Sequence, residues 1–210
     1  MPSSLNGFLP AEALAHLKRV DPALAPWFGR IGPLELRPAR PAFRSLCRAI
    51  IAQQVSNRAA ATMIARCFAL CARPGHPRPG DFLRLDDASL QSAGISRQKR
   101  GYLRSLAQAF DSGHLRNYRF VHRPEEEIIE ALTRVTGIGR WSAEMFLLFS
   151  LGRPDVFSGG DLALRAGICR VDGLESITPA QAIERALVWS PWRSVASLYL
   201  WRISHWQGEL

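Results

Sequence analysis

The sequence predicts an all-α protein, and three observations carry that prediction. Apolar residues recur at helical spacing in segment after segment, no stretch alternates apolar and polar residues convincingly enough for a strand, and Ser, Thr and Pro stand where helices start. The 210 residues, 47% hydrophobic and 21% charged, are enough to bury a core in one domain or two small lobes. About ten helices are expected.

In chain order, Pro10–Val20 reads as a short amphipathic helix, and Gly29–Arg40, rich in Gly and Pro, as a connector. In Pro41–Gln54 the apolar positions 43, 46, 47, 50 and 51 share one helical face. Ser56 offers an N-cap for the next helix, which runs to about Cys71. Arg73–Gly80 (RPGHPRPG) must be a loop. Phe82–Ala93 and Arg97–Phe110 read as two helices separated by Gly94, the second capped by Ser96. Pro124 followed by three glutamates is a strong start, because proline suits the first helical position and acids suit the positive end of the helix dipole. Leu162–Val171 is an apolar helix. Thr178-Pro179-Ala180-Gln181 is a capping box, and Ser190-Pro191 repeats a Ser-Pro start.

Charge narrows the function. The formal net charge is +9, and of 27 basic residues only Lys18 and Lys99 are lysines. An arginine surplus favours a polyanionic partner, since guanidinium forks onto phosphate with two hydrogen bonds; an Arg- and Ala-rich composition alone would account for it equally well. No apolar run approaches the roughly 18 residues that span a bilayer. No basic region followed by an apolar stretch opens the chain, so a cytosolic location and no membrane partner are expected. Cys47, Cys67, Cys71 and Cys169 contain no C-x-x-C pair and read as buried thiols. Cys67 and Cys71 lie four apart on one helix face, but zinc wants about four ligands. No nucleophile elbow, Walker loop or zincin motif is present.

The most telling segment is LTRVTGIGRWSAEMFLLF, Leu132 to Phe149. Gly137 and Gly139 flank Ile138 between two helices. Glycines permit a tight turn with positive φ and leave backbone N–H groups bare where the second helix begins, a ready anion site. Small Ala143 lets the helices approach. Twenty-two residues after Gly139, Gly159 and Gly160 lead into Asp161 at the start of the Leu162 helix. Taken alone, Asp161 reads as an N-cap.

Together these residues resemble the helix-hairpin-helix–Gly/Pro–Asp superfamily of DNA base-excision glycosylases, and within it the DNA-3-methyladenine glycosylase II (AlkA-like) branch. The carrying segments are Ile50-Ile51-Ala52-Gln53-Gln54-Val55-Ser56, Thr136-Gly137-Ile138-Gly139-Arg140-Trp141-Ser142-Ala143, Gly160-Asp161-Leu162-Ala163-Leu164-Arg165, and Pro191-Trp192-Arg193-Ser194 with Tyr199-Leu200-Trp201-Arg202. They occur in the family's order over roughly residues 41–205. The resemblance implies two helical lobes flanking a DNA-binding cleft, 1–40 with 145–210 and 41–144, and a hairpin motif over 124–150. It implies hydrolysis of the N-glycosidic bond of an alkylated purine by a monomer acting on damaged double-stranded DNA.

The roles implied are these. Asp161 is the catalytic carboxylate. Trp141, Met145 and Trp192 wall a base pocket, each of them equally at home in a core. The amides of Gly137 and Gly139, beside Ile138 and helped by Arg140 and Ser142, clamp a phosphate. Gln53, Gln54 and Ser56 form the loop that enters the minor groove, with Gln54 filling the gap. Lys99 either touches phosphate or belongs to a solvated basic face. No cofactor is required, though the carbonyls of Thr133, Val135 and Ile138 match a site for Na+ or K+.

Four departures refine the resemblance. Ser158-Gly159-Gly160 replaces the usual proline before the aspartate. Trp141 stands where the lyase branch has its Schiff-base lysine, and no cysteine follows Cys169 to build that branch's iron–sulfur cluster. A longer branch member also carries an N-terminal β-domain for which 210 residues leave little room. A non-catalytic hairpin DNA-binding module, or a glycosylase for deaminated purines, is the alternative.

Overall fold

The computed structural model describes residues 4–38 and 41–208. Met1 to Ser3 of the N-terminal segment, and the last two residues of the Gly29–Arg40 connector, lie outside the described residues. The elements are β1 (Gly7–Phe8), α1 (Ala11–Val20), α2 (Ala25–Ile31), β2 (Glu35–Leu36), α3 (Ala42–Ala52), α4 (Asn57–Ala69), α5 (Pro79–Arg84), α6 (Asp87–Ser92), α7 (Arg97–Asp111), α8 (Glu125–Thr133), α9 (Arg140–Phe149), α10 (Leu162–Asp172), α11 (Pro179–Ala186) and α12 (Arg193–Ser204). Single 3-10 turns occupy Phe120–His122 and Leu187–Trp189. The fold is all-α. Among the described residues no helix is long and apolar enough to cross a membrane.

Four local expectations are corrected. Phe82–Ala93 is two short helices, because Asp86 caps α6 by accepting the Ser89 N–H at 2.6 Å and so breaks the helix before it. The connector carries β2, which pairs antiparallel with β1 over two residues each, too short to alternate visibly. It also begins inside α2, which has Pro26 in its first turn. The last helix starts at Arg193, and Ser190 gives its hydroxyl to Asp155 instead of capping.

The chain divides into two compact units, Met1–Pro38 with Leu147–Leu210, and Ala39–Phe146. In the first, α10 lies against α12 so closely that a Cβ on Gly167 would stand 2.5 Å from the Leu200 carbonyl oxygen. Only glycine permits that backbone approach. Buried Asp21 ties α1 to the far end of the chain, accepting from Arg185 at 2.7 Å and from the Trp189 indole at 2.6 Å.

The second unit packs α3, α4, α5 and α7 around aromatic edges: Phe43 meets Phe82 at 5.9 Å and Phe110 at 5.3 Å, both edge-on. Cys47, Cys67 and Cys71 are buried there. Burial pushes the Cys67 thiol up to about 11 and, with the Asp81 and Cys67 charges, that of Cys71 to about 12, so both stay protonated and inert. Among the described residues no group of three or more His, Cys, Asp or Glu could hold a metal ion.

Candidate active site

Within the second unit, α8 ends at Thr133 and α9 begins at Arg140, and the turn between them is built by its glycines. Gly137 has φ +91°, and a Cβ there would stand 2.2 Å from the Cγ of the Tyr102 ring, against which the turn is pressed. Gly139 differs: a Cβ on it would meet nothing within 4 Å. Ile138 is buried at 4% exposure and pins the turn between the helices. The Thr136 N–H donates to Ser105 Oγ and the Ile138 N–H to the Val135 carbonyl. Among the described residues, the N–H groups of Gly137 and Gly139 donate to no protein acceptor. Thr133, Val135 and Ile138 offer carbonyl oxygens, the donor class a hard cation takes. The Val135 carbonyl keeps a second lone pair beside its bond to Ile138.

Immediately beyond the turn, a cavity of about 450 Å³ opens between Ala49, Ala52, Gln53 and Gln54 on one side and Trp141, Ser142 and Met145 on the other. Trp141 and Met145 are one helical turn apart and so share a face of α9. Trp141 is half exposed, which a core tryptophan would not be. The alanines of α3 leave the space. Gln54 has φ +55°, a left-handed conformation that costs a non-glycine residue about 1–2 kcal/mol. Gln53 donates from Nε2 to the Gly137 carbonyl at 2.9 Å, tying its turn to the hairpin. Ser56 caps α4, its Oγ accepting the Ala59 N–H at 3.3 Å.

Two basic residues are held by groups of the protein itself. Lys99 is no solvated basic face: its ammonium donates to the carbonyls of Ile51 at 2.7 Å and Gln53 at 2.8 Å. Arg140 forks onto Glu126 at 2.7 and 2.9 Å, and its Nε reaches Glu144 at 3.1 Å. The hydrogen bond from Arg140 holds the Glu126 carboxyl below the usual carboxylate range.

Asp161 and Trp192 belong to the first unit. Asp161 caps α10: its Oδ1 accepts the Leu164 N–H at 2.9 Å and the Trp201 indole N–H at 3.2 Å. Trp201 is stacked on Phe149, centroids 5.5 Å apart. The sequence reading assigned Trp201 no role, and the signal for one lies elsewhere in the chain: Gly167 lets α12 approach α10, which brings that indole to the carboxylate. Gly159 is needed for packing, since a Cβ there would collide with Ile183, whereas a Cβ on Gly160 would meet nothing within 4 Å. Trp192 is only 6% exposed and lies in this unit's core.

The loop into Asp161 is anchored by Asp155. Its carboxylate accepts the Arg193 backbone N–H at 3.1 Å, standing in for the cap of α12, and the Arg193 side chain at 2.8 and 2.9 Å. Burial opposes ionisation of Asp155, but Arg193 and the Ser190 hydroxyl outweigh it and hold the carboxyl below the usual carboxylate range. A carboxyl so lowered stabilises the fold above its unfolded value of about 3.9, and that contribution is lost as the pH falls through the folded value. Asp155→Asn is therefore expected to lower Tm at neutral pH, with the gap to wild type closing below about pH 4. A gap of constant size in thermal melts across that range would sink the assignment.

The profile of a family described as HhH-GPD superfamily base excision DNA repair protein matches residues 47–193. The chain is 31% identical over 217 residues to DNA-3-methyladenine glycosylase 2 of Escherichia coli, covering 95% of this chain and 74% of that one. A crystal structure of a DNA-3-methyladenine glycosidase from Bacillus halodurans superposes with TM-score 0.85 at 31% identity, over 94% of this chain and 92% of the other. A 3-methyladenine DNA glycosylase of Schizosaccharomyces pombe, solved in complex with abasic DNA, superposes with TM-score 0.83 at 29% identity, over 95% and 100%.

Proposed function

Because the chain belongs to the HhH-GPD superfamily of base excision DNA repair proteins, we propose that it is a DNA glycosylase that hydrolyses the N-glycosidic bond of alkylated purines in double-stranded DNA. The observation that carries the reading is the hairpin with its adjoining cavity: two glycine N–H groups without protein acceptors among the described residues, and Trp141 with Met145 on the next turn of α9. Names of the similar proteins point the same way, each being a 3-methyladenine glycosylase or glycosidase.

The chemistry follows from these groups. The bond is poorly reached inside the stack, so the nucleotide is flipped out. The amides of Gly137 and Gly139 at the start of α9 take a backbone phosphate, a contact that positions without reading sequence. Ser142 lines the cavity beyond, and Arg140 joins the clamp when it leaves Glu126. The carbonyls of Thr133, Val135 and Ile138 would hold a sodium or potassium ion, which would add positive charge beside that phosphate. An alkylated purine is already cationic, so the face of Trp141 attracts it through cation–π contact, with Met145 completing the wall. It leaves without a proton, and the sugar is left with developing positive charge. The Asp161 carboxylate, oriented by Leu164 and Trp201, stabilises that charge and orients the attacking water. With Trp141 where a Schiff-base lysine would stand, the enzyme is monofunctional, and the family resemblance implies a monomer.

Base release from methylated duplex DNA tests the reading, with free 3-methyladenine and 7-methylguanine quantified. Release supports it. Binding without release would turn the assay to deaminated purines and, if those too persist, to a non-catalytic DNA-binding module.

Gln54 is the residue that fills the gap left by the flipped base. Its left-handed backbone makes Gln54→Gly an informative variant, because glycine adopts φ +55° without penalty. The variant is expected to be at least as stable as wild type and to lose about tenfold or more in single-turnover excision, since the unstacking of a few kcal/mol is no longer offset. Unchanged excision would remove Gln54 from this role.

A further inference from the structure

Lys99 is the third residue of α7, whose cap is Ser96. A cation there opposes the α7 dipole and gains nothing for that helix. It is also partly desolvated, which works against its charge. Both costs are met at the other end of the side chain, where the ammonium donates to the carbonyls of Ile51 and Gln53. These two oxygens lie at the C-terminus of α3, where a helix leaves its last carbonyls without partners and where the dipole favours a cation. Gln53 then carries the linkage on, from Nε2 to the Gly137 carbonyl. A continuous chain thus runs from α7 through the 53–56 turn to the hairpin, and the left-handed Gln54 sits within it.

We infer that Lys99 is a positioning residue that locks the Gln53–Ser56 turn in the conformation that presents Gln54, so that flipping meets a preformed wedge and not a mobile loop. The inference rests on the base-flipping reading above for its effect on rate, but the locking itself is a property of the free protein. It assigns the charge of Lys99 to the protein's own backbone and not to DNA phosphate.

Lys99→Met keeps the apolar stem and removes the donors; Lys99→Arg restores a cation that can reach both carbonyls. The first readout is amide exchange across the last turn of α3 and residues 53–56 in free protein, expected to quicken in the Met variant and to return toward wild type in the Arg variant. The second is single-turnover excision from methylated duplex, expected to fall about ten- to a hundredfold at saturating protein in the Met variant and to recover in the Arg variant. Binding to undamaged duplex, and its salt dependence, are expected to stay at the wild-type value. A salt slope smaller by about 0.9 would make Lys99 a phosphate contact and overturn the inference. Unchanged exchange, or an Arg variant as impaired as the Met variant, would overturn it too. If wild type releases no base while exchange still quickens in the Met variant, the glycosylase reading fails and the locking role stands.

Discussion

Asp161→Asn is expected to cut base release from methylated duplex by about 10²–10³-fold while leaving DNA binding and Tm close to wild type. The substitution separates the two things Asp161 can be. As a helix cap, Asn serves about as well as Asp, because its side-chain oxygen can still accept the Leu164 N–H that Asp161 takes at 2.9 Å. It can likewise accept the Trp201 indole N–H. These two bonds survive while the charge is removed, and charge is what a developing sugar cation needs. A variant as active as wild type would leave Asp161 a cap. A variant that melts early and binds poorly would make it structural. Single-turnover excision, a binding titration and a thermal melt on the same preparations decide between these.

Alanine at the two hairpin glycines is expected to produce opposite phenotypes. At Gly137 a Cβ would clash with the Tyr102 ring at 2.2 Å, on a backbone whose φ of +91° already excludes most side chains. Overpacking costs about 1–3 kcal/mol and the left-handed strain about 1–2 more. Gly137→Ala should therefore lower Tm by roughly 5–15 °C for a chain of this size. At Gly139 a Cβ would meet no protein atom within 4 Å, so Gly139→Ala should melt near wild type. Its methyl would instead stand where a phosphate must approach, and affinity for duplex DNA is expected to fall by about tenfold or more, the loss of one to two charge-assisted hydrogen bonds. Thermal melts and duplex titrations on both variants check this. A Gly139→Ala protein that binds DNA like wild type would remove the phosphate from the hairpin.

Much of the fold was legible because its signals are local. Ser56, Ser96, Thr178 and Asp161 cap the helices that follow them, and each cap is a bond within three residues along the chain. The break inside Phe82–Ala93 was legible in kind, since Asp86 precedes Ser89 at capping distance, but helical apolar spacing across it masked the signal. The start of the last helix was not legible. Its cap, Asp155, is 38 residues away, and Ser190, which mimics a cap, is bound to that same aspartate. In the candidate site, the hairpin glycines and the pairing of Trp141 with Met145 follow from spacing alone. Arg140 reads as a phosphate ligand, and nothing in its neighbourhood along the chain shows that Glu126, fourteen residues upstream, holds it in the free protein.

The sequence by itself determined where most of the helices lie, where a tight glycine turn must lie, and which single carboxylate follows two glycines into an apolar helix. Capping, φ preference and 3.6-residue periodicity all act within a few residues, so they are written in local order. Only the tertiary structure decided that Gly137 is demanded by Tyr102 while Gly139 is not, that Gly167 brings Trp201 to Asp161, and that Lys99 spends its charge on the end of α3. Each of these is a contact between elements distant in sequence, and such contacts depend on how helices pack, which no window along the chain contains.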